Sequence, residues 1–394
     1  MSLRPLDGII VVSLEHAIAA PFATRQLADL GARVIKVERP GTGDFARHYD
    51  DRAGGLSSHF IWTNRSKESL TLDVKHKQAG PILSSLVKRA DVVVQNLAPG
   101  AASRLGITRE AFAETNPGLI VCNISGYGAD GPDRDRKAYD LLIQAEAGFL
   151  SVTGTEDVPS KAGISIADIA AGMYAYSSIL AALIQRGKTG KGSTIDVSML
   201  ESLVEWMGFP LYYSHQGAPP PRRTGGSHAT IYPYGPFEAG DETVVLLGLQ
   251  NEREWRSFCA DVLQQPQIEH DPRFAKNSER SRNREELRTL IHAAFSSLTG
   301  DEVIERLNAA NIANARVNDM QSVRDHAQLK ARNHWREITT ENGPLPASLP
   351  PGINDTFTPR MDSIPALGAH NHALLAELGL DTEDIAALER DGVI

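Results

Sequence analysis

Between Gly8 and Gly128 the chain alternates short β-branched runs with segments of helical spacing, and this alternation limits its fold more than any other feature. "GIIVVSLE" (Gly8–Glu15) has the length and composition of a buried strand. "APFATRQLADLGA" follows, with apolar residues at helical spacing and Gly31 as a helix-ending signal. "RVIKVERP" (Arg33–Pro40) reads as the next strand, "AGPILSSLVKRA" as a helix and "DVVVQNLAPG" as a strand running into a loop. "GLIVCNISGYG" (Gly118–Gly128) is another strand. Strands separated by helices pair in parallel and carry helices on both faces, so the expected fold class is α/β with an open parallel sheet.

Asp168 to Arg186 reads as one helix, with apolar residues at 169, 173, 176, 180 and 183. It stops at "RGKTGKG", which has a basic last turn and glycines. "STIDVSM" is a further strand and "LESLVEWMGF" a helix. The character changes at "HQGAPPPRRTGGSHATIYPYGPF", a Pro/Gly/Arg-rich linker or mobile loop. A second unit follows from about Tyr232 to Asn318: a strand at "TVVLLGL", then helices around Trp255, Glu285–Ala294 and Asp301–Ala310. "ENGPLPASLPPGIND" reads as a second connector, and the tail "HNHALLAELGLDTEDIAALERDGVI" as two short helices. A chain of 394 residues suits two domains. The expected division is a large domain over 1–220, a smaller α+β domain over 221–330, and a connector over 331–394 that returns to the large domain.

Charge and motif content remove several function classes. The formal net charge is −9, with 49 acidic against 40 basic residues, which argues against general nucleic-acid or membrane-surface binding. A local basic site for a phosphorylated ligand stays open. Cys122 and Cys259 lie far apart and outside any CxxC pair, so neither a disulfide framework nor a zinc motif is expected, and a reducing cytoplasm fits. The opening "MSLRPLDGIIVVSLEH" has no cleavage-site pattern, so no signal peptide is expected. The longest apolar helix candidate, near Met173 to Ile184, is too short to cross a bilayer. The loop after the first strand, "EHAIAAPFA", has no glycine, although Glu38 sits where a ribose-binding acid would be. Without GxGxxG a backbone cannot approach a pyrophosphate in the nicotinamide-enzyme manner, so that class is rejected. There is no P-loop and no GxSxG elbow. "GTGDFAR" reads as a turn. His370 and His372 alone have metal spacing and read as surface polarity at a helix entry, so no metal site is expected.

"GISIADIAAGMYA" (Gly163–Ala175) is small and apolar except for one charge, Asp168. An Asp at a helix start is a common N-cap, accepting backbone N–H bonds of the first turn. The same geometry also favours an ionised carboxylate that its apolar neighbours strip of water, a competent nucleophile toward an activated acyl group.

These stretches together resemble the class III CoA-transferases, the family of formyl-CoA transferase and carnitine CoA-transferase, to which the α-methylacyl-CoA racemases are related. The resemblance rests on "LDGIIVVSLEHAIAAPFATRQLADLGARVIKVERPGTGD", "NRSKESLTLDVK", "ADVVVQNLAPGAASRLGI", "NPGLIVCNISGYGADGP", "KAYDLLIQAEAG", "GISIADIAAGMYA", "TGKGSTIDVSMLES" and "PALGAHNHALLAELG", which cover nearly the whole chain. It implies a Rossmann-like large domain, a smaller α+β domain and an interlocked homodimer. It places the catalytic aspartate on Asp168, which would pass through a mixed anhydride to an aspartyl-CoA thioester. It implies no permanently bound cofactor, with a coenzyme A thioester and a small carboxylic acid as substrates. By resemblance, coenzyme A contacts fall on His16, Ile18, Ala19, Arg39, Leu72, Lys75, Asn96, Leu97, Ala98, Arg104, Leu105, Lys137 and Tyr139. Arg39, Lys75, Arg104 and Lys137 are the types that pair with phosphates.

The sequence departs from the family pattern in two places. Ile18 stands where relatives often carry glutamine, and the mobile glycine loop has no obvious match. "RRTGGSHATIYPYG" (Arg222–Gly235) is the nearest candidate: Arg222 and Arg223 can hold a distal carboxylate, with Gly225, Gly226 and His228 as further substrate contacts. A plain interdomain linker is the other reading of that stretch. Racemase relatives use a histidine base where this chain has Tyr139, and an unperturbed phenol, with a pKa of about 10, is a poor base at neutral pH. That favours the transferase over the racemase. A non-catalytic CoA-binding homologue is the third possibility, against which stand Asp168, Tyr139 and the basic set. Within the transferases the chain looks most like the branch that moves coenzyme A from succinyl-CoA to C4–C5 dicarboxylates such as itaconate, mesaconate or citramalate.

Overall fold

The computed structural model of the chain describes residues 3–394. They form two compact units. The first is assembled from the stretch ending at Gly148, from Ala162–Met207 and from Leu329–Ile394; the second from Phe149–Lys161 and Gly208–Gln328. The division thus falls after Met207, where the sequence suggested 220, and a short excursion at 149–161 interrupts what read as continuous large domain.

Six strands make the sheet of the first unit: β1 (Ile10–Leu14), β2 (Arg33–Glu38), β3 (Lys67–Thr71), β4 (Val92–Gln95), β5 (Ile120–Ser125) and β6 (Thr194–Ser198). Their order is β3-β2-β1-β4-β5-β6, and every pairing is parallel. This is the expected α/β sheet, Rossmann-like in its strand order, with the order reversing between β1 and β4.

Strand alternation gives the sheet two unlike faces at the β3-β2-β1 end. Val12, Leu14, Ile35, Val37, Leu70 and Leu72 share an apolar core with Ile82, Leu83 and Leu86 of the Ala79–Arg89 helix. Leu374, Leu375, Ile385 and Leu388 of the two tail helices complete that core. The register Ser13↔Lys36 and Lys36↔Ser69 puts Lys36, Lys67 and Glu15 on the opposite face. The Ala19–Asp29 helix covers that face, with Thr24 bonded to Glu15.

The crossover from β5 to β6 ends in its longest helix, Ile166–Thr189, packed against the Ala19–Asp29 helix. At 24 residues it is longer than the expected span and apolar enough to cross a membrane by length and composition. Here its buried residues, among them Ala167, Ala170, Ala171 and Ala175, face the protein, and Arg186 pairs with Asp91 at 2.9 Å.

The second unit carries an antiparallel sheet, β7 (Tyr234–Glu238), β8 (Val244–Gly248) and β9 (Ala313–Arg316), in the order β7-β8-β9. Helices at Glu252–Ser257, Arg284–Phe295 and Gly300–Ala309 pack around Trp255, Phe258, Phe274 and Phe295. This is the smaller α+β unit expected. "ENGPLPASLPPGIND" is only partly a connector. Gly343–Ser348 is strand β11, paired with β10 (Trp335–Thr340) in a two-stranded hairpin. Pro344 and Pro346 alternate with Leu345 along β11, at positions whose missing N–H is not needed by the partner strand.

Candidate active site

Two helices of the first unit start without a cap of their own. Ile18, before the Ala19–Asp29 helix, and Ser165, before the Ile166–Thr189 helix, make no side-chain cap bond. The first N–H groups of a helix need acceptors. For the second of these helices a carboxylate from elsewhere supplies one. Asp140, the first residue of the Asp140–Glu146 helix, takes the N–H groups of Ala167 (2.8 Å) and Asp168 (3.2 Å) on one oxygen. Gln144 holds its other oxygen at 2.6 Å and anchors the approach to the helix by accepting the Ala162 N–H at 2.9 Å. The Asp168 carboxyl in turn faces Ala19, whose N–H favours its ionised form.

This corrects the N-cap reading of Asp168. The residue is inside the first turn of its helix, its own N–H is satisfied by Asp140, and its side chain points to the start of a neighbouring helix. A close helix crossing permits that reach. A Cβ on Gly172, one turn beyond Asp168, would lie 2.7 Å from the Ala19 carbonyl oxygen and 3.0 Å from the Phe22 ring.

Asp168 is part-buried and, among the described residues, has no cation bonded to it. Burial first, then the neighbouring Asp140 charge, raise its carboxyl to about 7, while the Ala19 N–H works in the opposite direction. Near neutral pH it is divided between acid and carboxylate. As a carboxylate it is a desolvated nucleophile; the adjacent Ala19 N–H is a donor for an oxygen that gains charge as the carboxyl carbon is attacked.

The carboxyl ends of β1 to β5 carry the other candidates of this unit. His16 and Asn96, after β1 and β4, interlock: the His16 N–H donates to Asn96 Oδ1 and Asn96 Nδ2 donates to the His16 carbonyl, both at 2.9 Å. The His16 ring stacks on Phe45 at 5.4 Å, and its buried Nδ1 has no partner. Burial pushes the imidazole below its ordinary value, against the pull of Asp44, so the ring is neutral. Ile18 and Leu72 are buried in the core, and Ala19 opens its helix, so these three offer main chain rather than side chain. Arg39, Lys75, Ala98, Arg104, Lys137 and Tyr139 are exposed, while Leu97 and Leu105 are half-buried. All follow the carboxyl ends of parallel strands, where open α/β sheets form their crevice. A cavity of about 300 Å³ in the same unit, with Arg47, Ser57 and Phe60 in its wall, includes none of these candidates.

In the second unit, Arg223 donates to the carbonyls of Thr155 (2.9 Å) and Glu156 (2.6 Å), and Gly225 N–H to the Gly154 carbonyl at 2.8 Å. These bonds fasten the loop to the 149–161 stretch and occupy the Arg223 guanidinium. Arg222 and Gly226 are exposed; His228 stacks on Tyr234 at 5.2 Å. His370 accepts the Ser69 N–H at 3.1 Å and His372 meets Glu389 at 2.8 Å. Glu38 is buried, holds Arg47, Ser69 and the Asp44 N–H, and is kept at about 2, with those partners outweighing its burial.

Sequence reasoning missed three members of the site. Asp140 was in view in "KAYD", next to Tyr139, but its role is long-range. Tyr49 is a second: partial burial, then the Asp44 and Asp168 carboxylates, push its phenol up to about 12. Asp44, hidden in the "GTGDFAR" turn, is the third: it accepts the N–H of Ala17 at 3.1 Å.

Comparison with known proteins agrees with this architecture. The family model described as CoA-transferase family III matches residues 6–371. An acetyl-CoA:oxalate CoA-transferase of Acetobacter aceti is 34% identical over 84% of this chain and 85% of its own length. The human succinyl-CoA:glutarate CoA-transferase is 34% identical over 82% of this chain and 74% of its own. The crystal structure of a CaiB/BaiF family protein from Brucella suis superposes with a TM-score of 0.86 at 32% identity, covering 96% of this chain and all of that one.

Proposed function

The chain belongs to CoA-transferase family III, and we propose that it moves coenzyme A from an acyl-CoA donor, succinyl-CoA in this reading, to a small C4–C5 dicarboxylic acid through Asp168. The observation that carries the proposal is the Asp168 carboxyl: part-buried, free of any bonded cation, raised to about 7 and seated against the Ala19 N–H. Relatives acting on oxalate and glutarate support a dicarboxylate acceptor; itaconate and mesaconate are the acceptors we favour.

The Asp168 carboxylate attacks the donor thioester carbonyl, the carbon–sulfur bond breaks, and coenzyme A leaves as thiolate from a mixed anhydride. The thiolate attacks the Asp168 carbonyl carbon, freeing the donor acid and forming an aspartyl-CoA thioester. The acceptor carboxylate then attacks that thioester and expels thiolate again. Attack of the thiolate on the acceptor acyl carbon releases the new acyl-CoA and restores Asp168. No net proton or electron moves, and each step keeps the acyl group activated, so the site must exclude water. The Ala19 N–H, next to the Asp168 oxygens, would donate to the oxyanion of the aspartyl steps; one such donor is worth roughly 10²–10³ in rate.

Arg39, Lys75, Arg104 and Lys137 would bind the phosphates of coenzyme A, with His16, Asn96 and the main chain of Ile18, Ala19, Leu72 and Leu97 along its length. We read the enzyme as a cytoplasmic homodimer of interlocked chains, with no permanently bound cofactor. Tyr139, in place of a histidine, speaks against a racemase.

The test is mass spectrometry of acyl-CoA products from succinyl-CoA and a panel of free acids: itaconate, mesaconate, citramalate, glutarate and oxalate. We expect a new acyl-CoA from wild type and none from Asp168→Ala. Equal turnover by Asp168→Ala would overturn the role of Asp168, and no product from any acid would overturn the donor and acceptor classes.

A further inference from the structure

We propose that the buried ionic cluster of Glu15, Lys36, Asp44 and Lys67 positions the acyl-acceptor site, by fixing where the Ala19 N–H meets the Asp168 carboxylate. This rests on the reading of Asp168 as acyl acceptor.

The cluster is an oddity for its place in the fold. Interior strands of a parallel sheet are covered on both faces and read as continuous apolar runs. Strand β2 is interior, yet Lys36 rises from its middle with a fully buried side chain, and Lys67 at the start of β3 and Glu15 just past the end of β1 are buried as deeply. Lys36 Nζ donates to Asp44 Oδ2 (2.7 Å) and to Asn64 Oδ1 (3.1 Å). Lys67 Nζ donates to Glu15 Oε1 (2.7 Å) and to the same Asn64 oxygen (3.0 Å). Buried ion pairs of this kind are poor stabilisers, since apolar residues of similar volume serve a core as well or better. Their retention needs another reason.

The outward bonds of the cluster supply it. Lys67 also donates to the Pro21 carbonyl (3.1 Å), and Glu15 accepts from Thr24 (2.7 Å), so both grip the first turns of the Ala19–Asp29 helix. On the other side Asp44 Oδ1 accepts the N–H of Ala17 (3.1 Å) and of Ala46 (2.9 Å). Ala17 has φ +58°, a left-handed conformation that a non-glycine residue keeps only when its surroundings impose it. The residues on either side of Ala19 are therefore both tied to one rigid charged block. The start of this helix lies against the turn that carries Asp168: a Cβ on Gly172, one turn beyond Asp168, would lie 2.7 Å from the Ala19 carbonyl oxygen, and the Ala19 N–H favours the Asp168 carboxylate. Two titratable groups bear on Asp168: Asp140, which lies outside the block, and Tyr49, which follows the turn that Asp44 caps and feels both the Asp44 and the Asp168 carboxylates.

The experiment uses the full-length Glu15→Gln/Lys67→Met double variant, which removes one negative and one positive charge together. Three readings are taken. Coenzyme A affinity is measured by calorimetry. Exchange of isotopically labelled succinate into succinyl-CoA requires no knowledge of the natural acceptor. Carbodiimide labelling of Asp168, followed by peptide mass spectrometry across pH, reports its ionisation whether or not the protein turns over. We expect coenzyme A affinity within about twofold of wild type, exchange kcat reduced at least ~10-fold, and at least ~3-fold less ionised Asp168 at neutral pH. Unchanged exchange together with an unchanged labelling midpoint would overturn the proposal and leave the cluster a structural feature. Thr24→Val, which removes the bond from the Ala19–Asp29 helix to Glu15 and leaves the ion pairs intact, is read in the same way and decides the matter should the double variant fail to fold. If wild type shows no exchange, the acyl-acceptor reading fails, and a labelling midpoint that does not shift still counts separately against the positioning role.

Discussion

Two sets of carboxylates flank the start of the Ala19–Asp29 helix, and they have opposite fates. Glu15 and Asp44 are buried, yet both stay ionised with pKa values below the ordinary carboxylate range: burial would raise them, but Lys67 and Lys36 outweigh it. Asp168 meets burial and a second carboxylate, with one N–H in return, and rises to about 7. Burial is common to both sets; the partner decides. The cation-matched carboxylates stay charged and hold the backbone, although burial brings Lys67 down to about 7 against the pull of Glu15. The unmatched one is left poised to change its bonding.

The contrast can be broken most severely from the cation-matched side. Lys67→Met alone leaves Glu15 buried without its closest cation, and such orphaned charges cost about 3–5 kcal/mol. A urea titration should show an unfolding free energy smaller by that amount, most of it restored by adding Glu15→Gln. A smaller break comes from the helix crossing. Gly172→Ala forces a methyl group against the Ala19 carbonyl and Phe22, for a loss of about 1–3 kcal/mol by the same titration, with a fall in kcat as Asp168 is pushed from the Ala19 N–H. The finest adjustment is Asp140→Asn. It removes the negative neighbour, so the ionised form of Asp168 is favoured and its pKa falls. Because the nucleophile is the ionised form, the rising limb of kcat/KM against pH, expected near 7 in wild type, should move to lower pH. A limb that stays in place would mean that Asp140 acts only through its bonds to the helix start.

Local patterns made the sheet legible. The runs "GIIVVSLE", "RVIKVERP" and "DVVVQNLAPG" are strands because β-branched residues between turn signals have few other stable uses in a core. Asp168 was legible as a lone charge in an apolar segment, though its partner was not. Capping by a residue on another helix leaves no mark near either end: Ile18 and Ser165 betray themselves only as helix starts that lack an acceptor of their own. "RVIKVE" read only as a strand, although Lys36 and Glu38 alternate with Ile35 and Val37 and so put charge on one face of an interior strand. Asp44 was lost because "GTGDFAR" is also a competent turn, and a turn explains its glycines without explaining its acid. The Pro/Gly-rich "ENGPLPASLPPGIND" misled for the converse reason, since an edge hairpin tolerates prolines that an interior strand would not.

The three-part construction of the first unit has a consequence for the order in which the protein is made. Strand β3 is finished early in synthesis, but the Thr71 N–H receives its acceptor from Asn371, 300 residues later, and the Asp73 N–H receives its own from Val393. Leu70 and Leu72 wait as long for Leu374, Leu375 and Leu388. While the 208–328 stretch emerges and folds around its own core, the sheet of the first unit carries an apolar face covered only in part, by the Ala79–Arg89 helix. The nascent chain is therefore most open to aggregation, and most in need of a chaperone's shelter, during that interval.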